Sequence, residues 1–230
     1  MPLIEQLELF PLSHKRYKKM NASKRQERNL YLWLLLLSSL TGISIWYGRR
    51  LIAAPLSDWG TQTMETFGYF TNLTNVLVIV MAASLLIGHG RLYSWFRKPS
   101  VQSGVCLYIA FVGLAFWFLL GGPTYAETAV DWLAELTAHT LSPILGAVYF
   151  ARILSAERLE WKHPLLWLIY PLAYLAYWLW WGPLAGYYPY FFVDVNVLGY
   201  AGVARWTVIL IIAFLFLGSL MLFTTRRRAV

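Results

Sequence analysis

The sequence predicts an all-α, polytopic membrane protein: a bundle of six transmembrane helices with both termini in the cytoplasm. Three observations predict it. Of 230 residues, 59% are hydrophobic and 13% charged, against roughly half and a quarter in a soluble domain. Six stretches approach or reach the roughly 20 apolar residues that a spanning helix needs. Lys and Arg crowd one alternate set of the segments between them. The apolar runs are continuous, so the alternating pattern of an outer-membrane barrel does not fit. The single cysteine, Cys106, excludes an internal disulfide and a cysteine-cluster metal site. No metal and no cofactor is expected.

The first run, 30–48, follows a polar and basic segment and is too long for the apolar core of a cleavable signal peptide. Within that leading segment Leu3, Leu7 and Phe10 share a helical face with Ile4 beside it. The pattern suits a short interfacial helix and a frayed tail about equally. The second run, 67–88, and the third, 101–120, contain no charge. The fourth, 129–151, differs because it carries Asp131, Glu135 and His139. The fifth, 164–181, opens on Pro164 and closes on Trp180 and Trp181, and the sixth, 201–224, runs into a basic tail. The chain thus divides into a basic cytoplasmic segment over 1–28, a transmembrane domain over 29–225 and a basic cytoplasmic tail over 226–230.

Orientation follows from the basic residues. Sixteen of the nineteen Lys and Arg lie in the N-terminal segment, the second and fourth loops and the C-terminal tail. Arg49, Arg50 and Arg205 lie on the other side. The acidic residues divide five to six, so the asymmetry belongs to Lys and Arg alone, as the positive-inside rule requires. The net charge of +8 is therefore a topology signal, with a contribution from anionic lipid head groups. Nucleic acid is not an expected partner, because that would need the basic residues gathered on one soluble face. The expected setting is a bacterial inner membrane.

The twelve Trp and fifteen Tyr cluster near the run ends. Trp46, Tyr47, Trp59, Trp180, Trp181, Tyr187, Tyr188 and Tyr190 fall outside, Tyr93 and Trp95 inside, as interfacial belts do. The loop at 182–202, GPLAGYYPYFFVDVNVLGYAG, is too apolar for an ordinary solvated loop. It reads as a cap over the outer mouth of the bundle, or as an interfacial anchor without a chemical role. No internal repeat supports an inverted-repeat transporter.

An ionisable residue inside a span is costly, and its default reading is functional. His14, His89 and His163 lie in or beside cytoplasmic segments; only His139 lies well within an apolar run. The ordinary alternative is a histidine satisfied by a neighbouring backbone. Asp131, Glu135 and His139 are spaced i, i+4, i+8 and form one helical stripe. Glu135 is placed to fix the tautomer of His139, while acids in a first helical turn also favour the positive dipole end. The second polar cluster is YFTNLTN at 69–75, with Thr71, Asn72, Thr74 and Asn75. Buried amides need partners, and a lone threonine usually bonds back to its own helix. Thr71 falls about 6 Å and His139 about 15 Å below the outer starts of their runs at 1.5 Å per residue, a difference that tilt can remove. A hydroxyl beside an imidazole is the minimum for a nucleophile and its base.

Four segments carry a resemblance: YFTNLTN, the LYIAFVGL run of the third span, AHTLSPIL around His139, and the long block at 165–200. With these the chain resembles the bacterial six-span "Pr-six-Pr" membrane proteins, which are related to the androgen-induced and androgen-dependent membrane proteins of animals. The animal relatives hydrolyse fatty-acid esters of hydroxy fatty acids. The resemblance implies a lipid-ester hydrolase with Thr71 as nucleophile and His139 as base, acting on a fatty-acyl ester in the bilayer. On that reading Asn72 or Asn75 stabilises the oxyanion, and Glu135 or Asp194 orients His139. The chain departs from many bacterial members at Trp117, where they carry a polar residue. No GxSxG elbow occurs, which excludes an α/β-hydrolase. The competing classes are a small-molecule or proton-coupled transporter using the acid–acid–His stripe, and a non-catalytic lipid-binding protein.

Overall fold

The computed structural model describes residues 21–124, 126–155 and 159–227, with side chains to 225. The expected interfacial helix around Leu3, Leu7 and Phe10, and His14, lie outside the described residues. Among the described residues the chain is helical and contains no strand.

The first helix, α1 (Ala22–Ala53), starts where the Asn21 side chain accepts the Lys24 N–H at 2.8 Å, a standard helix-opening contact. It buries Leu32, Leu35, Ser38, Ser39, Gly42 and Ile43 on one face and turns Leu30, Trp33, Leu37 and Leu40 outward. Large apolar side chains facing outward along a whole helix are what a lipid environment requires. A 3-10 turn (Leu56–Asp58) leads into α2 (Trp59–Gly68) and then α3 (Phe70–Ile87). The second run is therefore two helices: it begins at Phe70, not Phe67, because Tyr69 is extended and breaks it. After α4 (Gly90–Phe96) comes α5 (Pro99–Phe118), whose helical start suits Pro99.

The fourth run is helical but not one α-helix. It comprises α6 (Ala129–Leu136), a π-turn (Thr137–Leu141), α7 (Ser142–Tyr149) and a second π-turn (Phe150–Leu154). The fifth is split at Leu168 into α8 (Lys162–Trp167) and α9 (Ile169–Ala185). After a 3-10 turn (Phe191–Val193), α10 (Val195–Arg227) carries the sixth, with a break at Gly199, whose φ is 64°. Among the described residues four helices, α1, α3, α5 and α10, are long and apolar enough to cross a membrane.

The core is formed by α1, α3, α5 and the α6–α7 rod, with α3 packed against both α1 and α5. Close approach depends on small residues, as between membrane helices generally. A Cβ on Gly113 would lie 2.6 Å from Pro143 Cβ, and one on Gly42 would lie 2.8 Å from Ala138 Cβ. Between α1 and the rod, Ser38 Oγ donates to the Thr137 carbonyl at 3.1 Å, and Ser38 and Ser39 both meet Ser142 Oγ. A second cluster, Tyr174, Trp178, Tyr190 and Val193, packs the α9–α10 connection onto the start of α3.

Candidate functional site

Thr71 owes its position to the break at Tyr69. The Gly68 carbonyl is taken by Tyr174 O–H at 2.9 Å and Trp178 Nε1–H at 3.0 Å, both from α9. Glycine is required there, since a Cβ would lie 2.8 Å from the Trp178 ring. Asn72 Nδ2 donates to the Thr66 carbonyl at 2.7 Å and ties the end of α2 to the start of α3. Thr71 thus falls in the first turn of α3, where backbone N–H groups have no helical acceptor. Its N–H donates to the Tyr190 hydroxyl oxygen at 3.4 Å, and its Oγ1 lies 3.4 Å from the same atom. Burial pushes the Tyr190 phenol up to about 12, so it carries its proton throughout the physiological range.

His139 lies on the first π-turn. Pro143, four residues on, has no N–H for the His139 carbonyl, and its ring crowds that position. The helix widens instead, with Ser142 N–H bonded to the Thr137 carbonyl. Such turns concentrate at functional sites. The His139 ring stacks on Phe116 at 4.1 Å between centroids and 16° between planes. Its Nδ1 lies 2.8 Å from Glu135 Oε2, and Trp46 Nε1–H donates to Glu135 Oε1 at 2.9 Å. The carboxylate is thus held by a hydrogen bond from Trp46, while the imidazole lies at ion-pair distance from its other oxygen without a hydrogen bond between them.

Asn75 bridges the start of α3 and the residue before His139. Its Nδ2 donates to the carbonyls of Thr71 at 3.0 Å and Ala138 at 3.3 Å, while Oδ1 is buried without a hydrogen-bond partner. Among the described residues no hydrogen bond joins Thr71 directly to His139: the threonine faces Tyr190 and the imidazole faces Glu135. The amides of Asn72 and Asn75 donate to backbone carbonyls, and the hydroxyl facing Thr71 Oγ1 is that of Tyr190. Asp194 does not approach His139 through any hydrogen bond or ion pair. Its Oδ1 accepts from Asn196 N at 2.8 Å and Val197 N at 3.3 Å, at the start of α10. Asp131 closes a capping box with Thr128 and pairs with Arg49 at 2.9 Å, the dipole-end role open to it from sequence. Trp117 donates through Nε1 to Thr140 Oγ1 at 3.0 Å.

Thr71 and Tyr190 stand at one end of an apolar groove of about 840 Å³, its open mouth included. The walls come from α5 (Val112, Ala115), α9 (Leu172, Leu175) and α10 (Leu210, Ile211). His139 is not among the lining residues. Sequence reasoning left Tyr190, Trp46 and Phe116 without a part in the site. Tyr190 and Trp46 read as belt aromatics, and the one available signal was the excess of aromatics in the 182–202 loop.

The chain matches no protein family, no curated protein and no solved structure.

Proposed function

We propose that the chain is a six-span integral membrane protein with cytoplasmic termini, in a bacterial inner membrane, that hydrolyses a fatty-acyl ester at Thr71 and His139. The likeness to the Pr-six-Pr proteins and their animal relatives supplies the reaction class. The observation that carries it is the Thr71 hydroxyl, set on an apolar groove lined by α5, α9 and α10. The carboxylate of Glu135, on α6, lies beside the imidazole of His139 on the π-turn that follows, and Asn75 of α3 bonds the Ala138 carbonyl of that turn.

In this reaction His139 takes the Thr71 proton and Oγ1 attacks the ester carbonyl carbon. The Tyr190 O–H and the Thr71 N–H are the donors nearest the oxygen on which charge develops, a contribution of several kcal/mol in other hydrolases. The bond to the alcohol oxygen breaks, and imidazolium returns the proton to that leaving oxygen. Water then attacks the acyl-threonine, giving its proton to His139, and the freed Thr71 oxygen recovers it. Substrate must first bring His139 within hydrogen-bond reach of Oγ1, directly or through one water, as apo sites often require.

A fluorophosphonate probe on the purified protein tests the nucleophile. Labelling lost in Thr71→Ala supports it; absent labelling, or labelling undiminished in that variant, refutes it. A second reading, lipid binding without chemistry, is favoured by the pairing of Thr71 with Tyr190 instead of His139. It expects lipid to bind and no ester to be cleaved.

A further inference from the structure

The groove is lined on one side by α9 and α10. These helices follow one another in sequence yet hardly approach each other; α10 is held by α5, α8 and the 191–193 turn. Leu172 and Leu175 line the groove from α9, and Leu210 and Ile211 line it from α10. Leu172, at the rim, is 40% exposed. Only 17% of the most apolar window of α10 is buried, against 61% for α5. Val208, Ile209, Ile212 and Phe216 of α10 are exposed. The floor, by contrast, is closed: Val112 of α5 is buried.

An apolar hollow of this size is a poor host for water, which needs polar partners. Left empty, it forfeits the dispersion contacts of its lining. The apolar material beside α9 and α10 in a membrane is the acyl chain of a bilayer lipid. The polar groups near the far end, Thr71 and Tyr190, match the polar end of such a chain.

We infer that the gap between α9 and α10 is a lateral portal through which one acyl chain of a bilayer lipid passes from the membrane into the groove. The chain stops with its polar end at Thr71 and Tyr190. This rests on the membrane-spanning reading and gives the lipid-ester reading its route, but it does not require the ester to be cleaved.

The test uses the full chain in nanodiscs of phosphatidylcholine bearing a diazirine near the end of one acyl chain. After irradiation, adducts are mapped by mass spectrometry. Adducts are expected on Val112 and Ala115 in the floor, beside surface adducts on Ile209 and Ile212. Ala115→Trp and Leu210→Trp fill the groove from the floor and from α10. Each should lower the Val112 adduct about tenfold or more, since occupancy depends on a preformed space, and leave the surface adducts unchanged, which also reports the fold. Wild-type adducts confined to the outward residues, or floor adducts undiminished in both variants, overturn the portal. Thr71→Ala separates it from the hydrolase reading: floor labelling persists there whether or not ester cleavage is lost.

Discussion

The Tyr190 hydroxyl lies 3.4 Å from both the backbone nitrogen and the side-chain oxygen of Thr71, across 119 residues of chain. One phenol thus meets the N–H that the first turn of α3 leaves without a helical acceptor and the hydroxyl that the hydrolase reading makes the nucleophile. Its own ring is packed between Tyr69 and Phe192, so the hydroxyl is positioned by the connection from α9 to α10.

Tyr190→Phe keeps the ring and removes that donor. On the hydrolase reading kcat falls about 100-fold with KM little changed, the size of effect seen when one oxyanion donor is lost. Thermal stability shifts by about 1 kcal/mol or less, the net worth of one neutral hydrogen bond. Steady-state kinetics on a panel of lipid esters reads the first, and melting in detergent reads the second. An unchanged kcat would make Tyr190 a packing residue only.

Asn75 gives the next prediction. It is fully buried and supplies hydrogen to the carbonyls of two different helical segments. Asn75→Leu leaves those carbonyls without that donor and should cost about 1–3 kcal/mol, partly offset because the unpartnered Oδ1 also disappears. Asn75→Asp should be worse, since it sets a carboxyl oxygen against two carbonyl oxygens. The expected order of melting temperatures is wild type, Leu, Asp. An aspartate variant as stable as wild type contradicts the bridging role.

The fold was more legible in sequence than the site, for physical reasons. Apolar run length and charge asymmetry are local or additive, and they located the helical stretches. The break at Tyr69 is neither: FGYFTN reads as one apolar run until Tyr174 and Trp178, over a hundred residues away, take the Gly68 carbonyl. Pro143 four residues after His139 is visible in sequence, but its consequence there, a π-turn, also needs Gly113 to admit the proline ring. The i, i+4 spacing placed Glu135 near His139, whereas nothing local places Trp46 on the same carboxylate. Asp194 shows the converse. An acid in an apolar loop drew a catalytic reading, and the structure engages it with backbone N–H groups at the start of α10.

A pH dependence is expected at the turn before α8. His163 Nδ1 accepts the Glu160 N–H at 2.8 Å, which it does only when that nitrogen carries no proton. Burial lowers the His163 pKa below its ordinary value; Glu160 works against this shift and Lys162 with it. The unfolded turn therefore takes up the proton first as pH falls. Its contribution is complete above about pH 6.5, the unperturbed histidine value, and is lost as pH falls through the lower folded value. The protection of the Glu160 amide against hydrogen exchange, relative to its intrinsic rate, should fall between pH 7 and pH 5. An NMR titration of His163 with a midpoint above 6.5 would contradict this.

Glu135→Gln tests the pairing of α6 with the π-turn at His139. The amide has nearly the shape of the carboxylate, so Trp46 Nε1–H can still donate to its oxygen, and packing against Phe116 is untouched. What changes is the partner of His139 Nδ1: an anion becomes a neutral group that can turn either an oxygen or an NH2 towards the ring. If Glu135 holds the imidazole in its working tautomer and stabilises imidazolium as Thr71 is deprotonated, kcat should fall about 100-fold or more, as when the acid of a catalytic triad is neutralised. Trp46→Phe removes only one hydrogen bond to that acid and should cost about tenfold or less, since Glu135 keeps its charge. Both variants should retain lipid in the groove, because neither residue lines it. A Glu135→Gln enzyme with wild-type turnover would reduce the pair to a structural contact, and with it the case for His139 as the base.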